Sequence, residues 1–126
     1  MAGLLGITTT TEAQRKQVVI SVNWTSRPLV VGASAGAIVR GEVLARVTAT
    51  GKLAKFNQDG DDGSENPIGI AYDDLANVAA DQTLRVYQAG EYRGSDLTWP
   101  DDITAAEKAT AILVLEGRGI IVDTAQ

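Results

Sequence analysis

Residues Asp81 to Pro100 read Asp-Gln-Thr-Leu-Arg-Val-Tyr-Gln-Ala-Gly-Glu-Tyr-Arg-Gly-Ser-Asp-Leu-Thr-Trp-Pro. In the first half Leu84, Val86 and Gln88 alternate with Arg85 and Tyr87, the period of a half-buried strand. Ala89-Gly90 predicts a turn, because glycine tolerates the positive φ of a tight reversal. Glu91 to Arg93 leave it extended, and Gly94-Ser95-Asp96 breaks the run. Leu97-Thr98-Trp99 reads as a short apolar strand or anchor. Pro100 closes it, since proline donates no main-chain hydrogen bond and keeps the residue before it out of helical geometry.

Upstream, Val18, Ile20, Val22 and Trp24 fall on one face of an extended run, and Val19, Ser21 and Asn23 on the other. This clean alternation fits either a first strand of the domain's own sheet or a strand donated to a partner's sheet edge. Thr25-Ser26-Arg27-Pro28 is read as its end, and Leu29-Val30-Val31 as another short extended piece. Small residues from Gly32 to Ala37 mark a boundary, so residues 1–36 are expected to be an arm and hinge and residues 37–126 a body.

Within the body, Gly41 interrupts a β-branched run and predicts two strand pieces or a bulge. Thr50-Gly51-Lys52 predicts a turn before Leu53 to Phe56, and Pro67 to Tyr72 an apolar, buried strand. Asp101 or Asp102 is placed to cap one short helix near 101–115, with Ile103, Ala106, Ala109, Ala111 and Leu113 as its apolar stripe. Gly119 to Val122 forms a last strand.

The 126 residues suit one domain with a core, since chains of this size bury roughly two thirds of their surface. Cysteine and histidine are both absent, which removes disulfides, thiolate metal sites and the usual general base. Sixteen acidic against eleven basic residues give a net charge of −5, a poor match to phosphate backbones. No apolar run approaches the ~20 residues of a membrane span, and the start lacks a secretory pattern. A soluble intracellular product with no nucleic-acid or membrane partner is expected. The carboxylates of Asp59 to Glu65 invite a calcium reading, but both registers of the calcium-loop pattern fail at the closing position, leaving a solvated loop. Adjacent carboxylates do not form an acid–base pair, and no serine has a base to activate it. The chain is therefore expected to be neither an enzyme nor a binder of a cofactor or metal.

Three ordered groups of residues carry a resemblance. They are Asn66-Pro67-Ile68-Gly69-Ile70-Ala71, then Val78 to Thr83 with Tyr87, Gly90, Arg93, Leu97 and Trp99-Pro100, then Gly119-Ile120-Ile121-Val122. Together they resemble the head decoration proteins of lambda-like tailed phages over roughly Gly41 to Val122, with no match in Met1 to Gly36. The resemblance implies a mainly β (α+β), β-tulip-like body and a homotrimer. It implies seats at threefold positions on the outer surface of the expanded capsid, and an N-terminal arm that pairs with the major capsid protein. Val18, Val19, Ile20, Ser21, Val22, Asn23 and Trp24 are the expected capsid-binding strand. Pro67, Gly69, Trp99 and Pro100 are the expected structural anchors, with Trp99 mostly buried beside Pro100. The rival from another class is a carbohydrate-binding or adhesion module built on Trp99, Tyr87 and Tyr92.

Overall fold

The computed structural model describes residues 18–19, 24–33, 35–76 and 80–124. Ile20 to Asn23 of the expected pairing strand lie outside the described residues. In chain order the strands are β1 (Thr25–Val31), β2 (Val43–Arg46), β3 (Leu53–Lys55), β4 (Pro67–Ala71), β5 (Gln82–Arg93) and β6 (Ile120–Asp123). Among the described residues one helix, α1 (Ala105–Gly117), follows a 3₁₀ turn at Gly94–Asp96. The body is mainly β, as expected.

The strands follow each other in space as β1-β3-β2-β4-β5, and β1 pairs again with β5, which closes a five-stranded barrel. The closing ladder is antiparallel and runs from Thr25↔Ala89 to Val31↔Gln82. The sequence reading ended a strand at Thr25 to Pro28, where the structure begins one. Proline is tolerated on such a strand because the other side of β1 is unpaired at residue 28, and a missing N–H facing that side leaves no ladder bond unmade. The other side of β1 meets β3 at Val31↔Leu53 alone, backed by the Gly32 N–H to Leu53 carbonyl bond of 3.0 Å. The small-residue stretch after β1 is tied down nearby. The Ala33 N–H donates to Asp81 at 2.9 Å, and Lys52 pairs with the same carboxylate at 2.5 Å. Lys52 first, then the Ala33 N–H, holds the Asp81 carboxyl below its usual value.

Gly90 lies inside β5, with φ +122°, and makes no turn. Ser26 pairs with Tyr87 but Thr25 with Ala89, so Gln88 is an extra residue on β5. One extra residue reverses which side the following side chains face. That is why Tyr87 and Tyr92, five positions apart, share one buried cluster with ring centroids 5.1 Å apart. A second bulge faces the first. Leu44 pairs with Gly69 but Ala45 with Pro67, which leaves Ile68 extra on β4. The Gln88 side-chain amide donates to the Ile68 carbonyl at 3.4 Å, so one bulge binds the main chain of the other.

Both sides of β2 and β4 are consequently covered. Leu44, Leu53, Ile68, Leu84 and Val86 fill the barrel with Val31 and Ile38. Val43, Ile70, Tyr87 and Tyr92 face outward under Leu115, Ile120 and Val122. β6 joins the second half of β5 in parallel, from Gly90↔Ile120 to Arg93↔Asp123, and carries α1 over this outer core. The helix starts later than the sequence predicted. Thr104 caps it in a box with Glu107, the Glu107 N–H donating to Thr104 Oγ1 at 3.1 Å and the Thr104 N–H to Glu107 Oε1 at 2.9 Å. Asp102 instead accepts from Gln58 at 2.9 Å. The buried residues of α1 are Ala111 and Leu115, flanked by Ile103 and Ile112, whereas Leu113 of the expected stripe is 67% exposed.

Candidate functional site

Of the seven residues expected to bind a partner strand, three are described, and the body holds all three. Val18 is 0% exposed and belongs to the outer core with Tyr92, Leu97 and Ile120. Its carbonyl accepts the Arg93 N–H at 2.7 Å, and Val19 forms an antiparallel bridge with Tyr92. Trp24 is 38% exposed and sits edge-on to Tyr87, centroids 5.4 Å apart, with Tyr72 at 6.0 Å. A Cβ at Gly90 would fall 2.8 Å from the Trp24 Cβ, so this approach of the segment to β5 requires glycine.

Around Trp24 the topology gathers residues that no sequence spacing links. The Arg40 guanidinium lies 5.6 Å from the Tyr72 ring centre and 5.8 Å from that of Tyr87, and Arg85 lies 5.9 Å from Tyr72. Arg40 also donates to the Tyr72 carbonyl at 2.6 Å. These arginine–aromatic contacts were missed in the sequence because positions 24, 40, 72 and 85 meet only through pairings between distant segments.

Tyr92 is 0% exposed, and its hydroxyl donates to the Ala89 carbonyl. Burial first, then the neighbouring Tyr87, pushes its ionisation well above the ordinary tyrosine value. Its contribution to stability is therefore whole below about pH 10, where even the unfolded chain keeps the proton. Above that the unfolded chain binds fewer protons than the folded one, and stability declines as pH rises. Tyr92→Phe should cost about 1 kcal/mol at neutral pH through the lost hydrogen bond. The variant's urea midpoint should then fall less steeply than the parent's between about pH 10 and 12. Parallel midpoint curves for the two proteins would show that Tyr92 ionises freely.

Trp99 is partly buried and packs against the outer core. Phe56 meets it edge-on with centroids 6.1 Å apart, and the Lys108 ammonium lies 5.7 Å above its ring. It forms a wall shared by two surface grooves, one beside Ser95 and Ile112, the other beside Glu42 and Asp101. Tyr87 and Tyr92, 2% and 0% exposed, cannot join Trp99 in a sugar platform. Pro67 and Gly69 are buried in β4, and Pro100 is half-buried, its carbonyl accepting the Ile103 N–H at 3.2 Å.

The acidic loop spends its side chains on its own turns. Asp62 accepts from the Ser64 hydroxyl at 2.6 Å and the Ser64 N–H at 3.1 Å, which together hold its carboxyl below the usual value. Asn57 accepts the Asp59 N–H at 3.0 Å, and Glu65 the Gly63 N–H at 2.9 Å. Among the described residues no cluster of three carboxylates is placed to hold a metal, and no helix is long and apolar enough to cross a membrane.

Among the described residues, a closed five-stranded barrel with a flanking strand and one helix, with Phe56, Tyr87 and Tyr92 buried in its outer core, defines a small β-rich body. The family model of bacteriophage lambda head decoration protein D matches residues 4–120, and the chain belongs to that family. It is a structural capsid-decoration protein of the phage head. The match reaches into the first 36 residues, where the sequence reading found no resemblance. Comparison with the curated proteins gives no match.

Proposed function

We propose that this protein cements the expanded phage capsid. Trimers sit on its outer surface at threefold positions, and N-terminal arms pair with the major capsid protein by strand addition. The family match over residues 4–120 carries this reading. The physical chemistry is compatible with it. Ordering an arm costs ~1–2 kcal/mol per residue in backbone entropy, which main-chain bonds to a sheet edge and apolar burial can offset. Three arms on one trimer act together through high local concentration. The net charge of −5 suits a protein shell better than the nucleic acid inside it.

The test mixes purified protein with expanded and unexpanded capsids and measures occupancy by sedimentation, with the mass of the free protein measured in parallel. Binding to expanded capsids alone, by a species of three chains, is expected. Equal binding to both forms, or none to either, would remove the cementing role. Monomers both free and bound would remove the trimer.

A further inference from the structure

Val18 and Val19 open the strand expected to pair with the shell, yet both are seated on the body. The seat is built from three directions. β5 supplies the Arg93 N–H, which donates to the Val18 carbonyl at 2.7 Å, and Tyr92, which bridges Val19. The turn at Gly41 supplies a wall. A Cβ there would fall 3.3 Å from Val18 Cγ2 and 2.7 Å from the Asp96 carbonyl oxygen, and φ is +91°. The outer core supplies the floor, where Val18 is 0% exposed.

This contact is not the continuation of the β1–β5 ladder. The six positions from Val19 to Thr25 correspond to only three along β5, from Tyr92 to Ala89. A regular antiparallel ladder advances one residue on each strand. Val18–Val19 is thus a second, separate fixing, three residues out of register with the first. A slide into the β1 register would bring Ser21 to the place of Val18 and bury a hydroxyl in an apolar seat, so the sequence itself selects the observed register.

We propose that Val18 and Val19 are a standing anchor that divides the N-terminal segment by task. The pair stays on the body whether or not the protein is on the shell, and the residues available for shell pairing are those before Val18. The second half of this statement rests on the cementing role; the first does not.

Hydrogen exchange at the Arg93 amide reads the anchor directly, because its acceptor is the Val18 carbonyl. In the full chain that amide should be protected both free and on expanded capsids. Val18→Ser should speed its exchange at least tenfold and lower the melting temperature, while still decorating capsids in the cold at parental occupancy. The milder Val18→Ala repeats the test should the serine variant not fold. Deleting residues 1–17 should leave Arg93 protection and melting temperature unchanged and abolish decoration. Exchange at Arg93 that accelerates on capsid binding would mean the pair peels off, and would overturn the proposal. So would parental exchange and melting in both Val18 variants. If the parent itself does not bind capsids, the cementing role fails and takes the assignment of residues 1–17 with it. The anchor then stands or falls on the exchange of the free protein.

Discussion

Gly69→Val should lower stability by about 3 kcal/mol, at the upper end of the cost of overpacking a core. Gly69 lies in β4 where the two bulges face each other. A Cβ there would fall 2.6 Å from Val86 Cγ1 and 2.9 Å from the Tyr87 carbonyl oxygen. The first of these can be relieved only by repacking the barrel interior. The second is main chain, so relief would require β4 and β5 to part at Ile70↔Tyr87. For a domain of this size the loss corresponds to a fall in melting temperature of about 10–20 °C. Gly117→Ala is the control, since a Cβ at the end of α1 meets nothing within 4 Å. It should be neutral or slightly stabilising. Equal melting of the parent and the Gly69 variant would show that β4 and β5 are not packed as closely as described.

The second large effect is expected at α1. Leu115→Ala should cost about 3 kcal/mol, because Leu115 is fully buried beneath the helix and its removal leaves a cavity against Ile120 and Tyr92. Leu113→Ala, two residues away and two-thirds exposed, should change stability by no more than about 0.5 kcal/mol. Urea midpoints of the two variants decide between the observed helix face and the stripe expected from sequence. A larger loss at Leu113 than at Leu115 would restore the stripe through Leu113.

The types of most elements were legible in the sequence, because each is signalled locally. The apolar run at Pro67 to Ala71, the turn glycines and the alanine-rich helix are all properties of adjacent residues. The faces were less legible. Alternation along Leu84 to Gln88 was read as a half-buried strand, but β5 lies between the barrel interior and the helix layer. Leu84 and Val86 fill one core, Tyr87 and Tyr92 the other. The bulges at Ile68 and Gln88 then reverse the phase within a strand, and no residue at either place announces an insertion. Gly90 was correctly marked as a place needing positive φ, but the freedom serves close passage of Trp24, not a reversal. The helix cap shows the same limit. Asp101 and Asp102 had the right chemistry, and Thr104 won because Glu107 three residues on completes the reciprocal pair.

The region around the arm was the least legible. Val18 to Trp24 has a strand's periodicity, but periodicity does not say whose sheet the strand joins. Val18 and Val19 meet Tyr92 and Arg93 across more than seventy positions of chain, a pairing decided by the shape of the outer core. The family resemblance pointed to the right class of protein through residues that mostly build this core. Pro67, Gly69, Tyr87 and Gly90 are packing positions, which is why they were recognisable without revealing where a partner would touch.

Closure of the barrel by β1 also bears on how concentrated this protein can become. Open sheet edges offer unpaired N–H and C=O groups to other chains and are a common start of aggregation. Here β1 occupies the side of β5 that would otherwise be such an edge, and Val19 covers part of the remainder. Besides the outer side of β1, which meets β3 only at Val31, the open strand among the described residues is β6; it is four residues long and ends in Asp123. A short strand ending in a charge is a poor template for further pairing. The outer side of β1 carries Arg27 and Pro28, a charge and a residue without an N–H, which also discourage pairing. Crowded copies therefore meet as barrels of like charge with poor templates at their open sides.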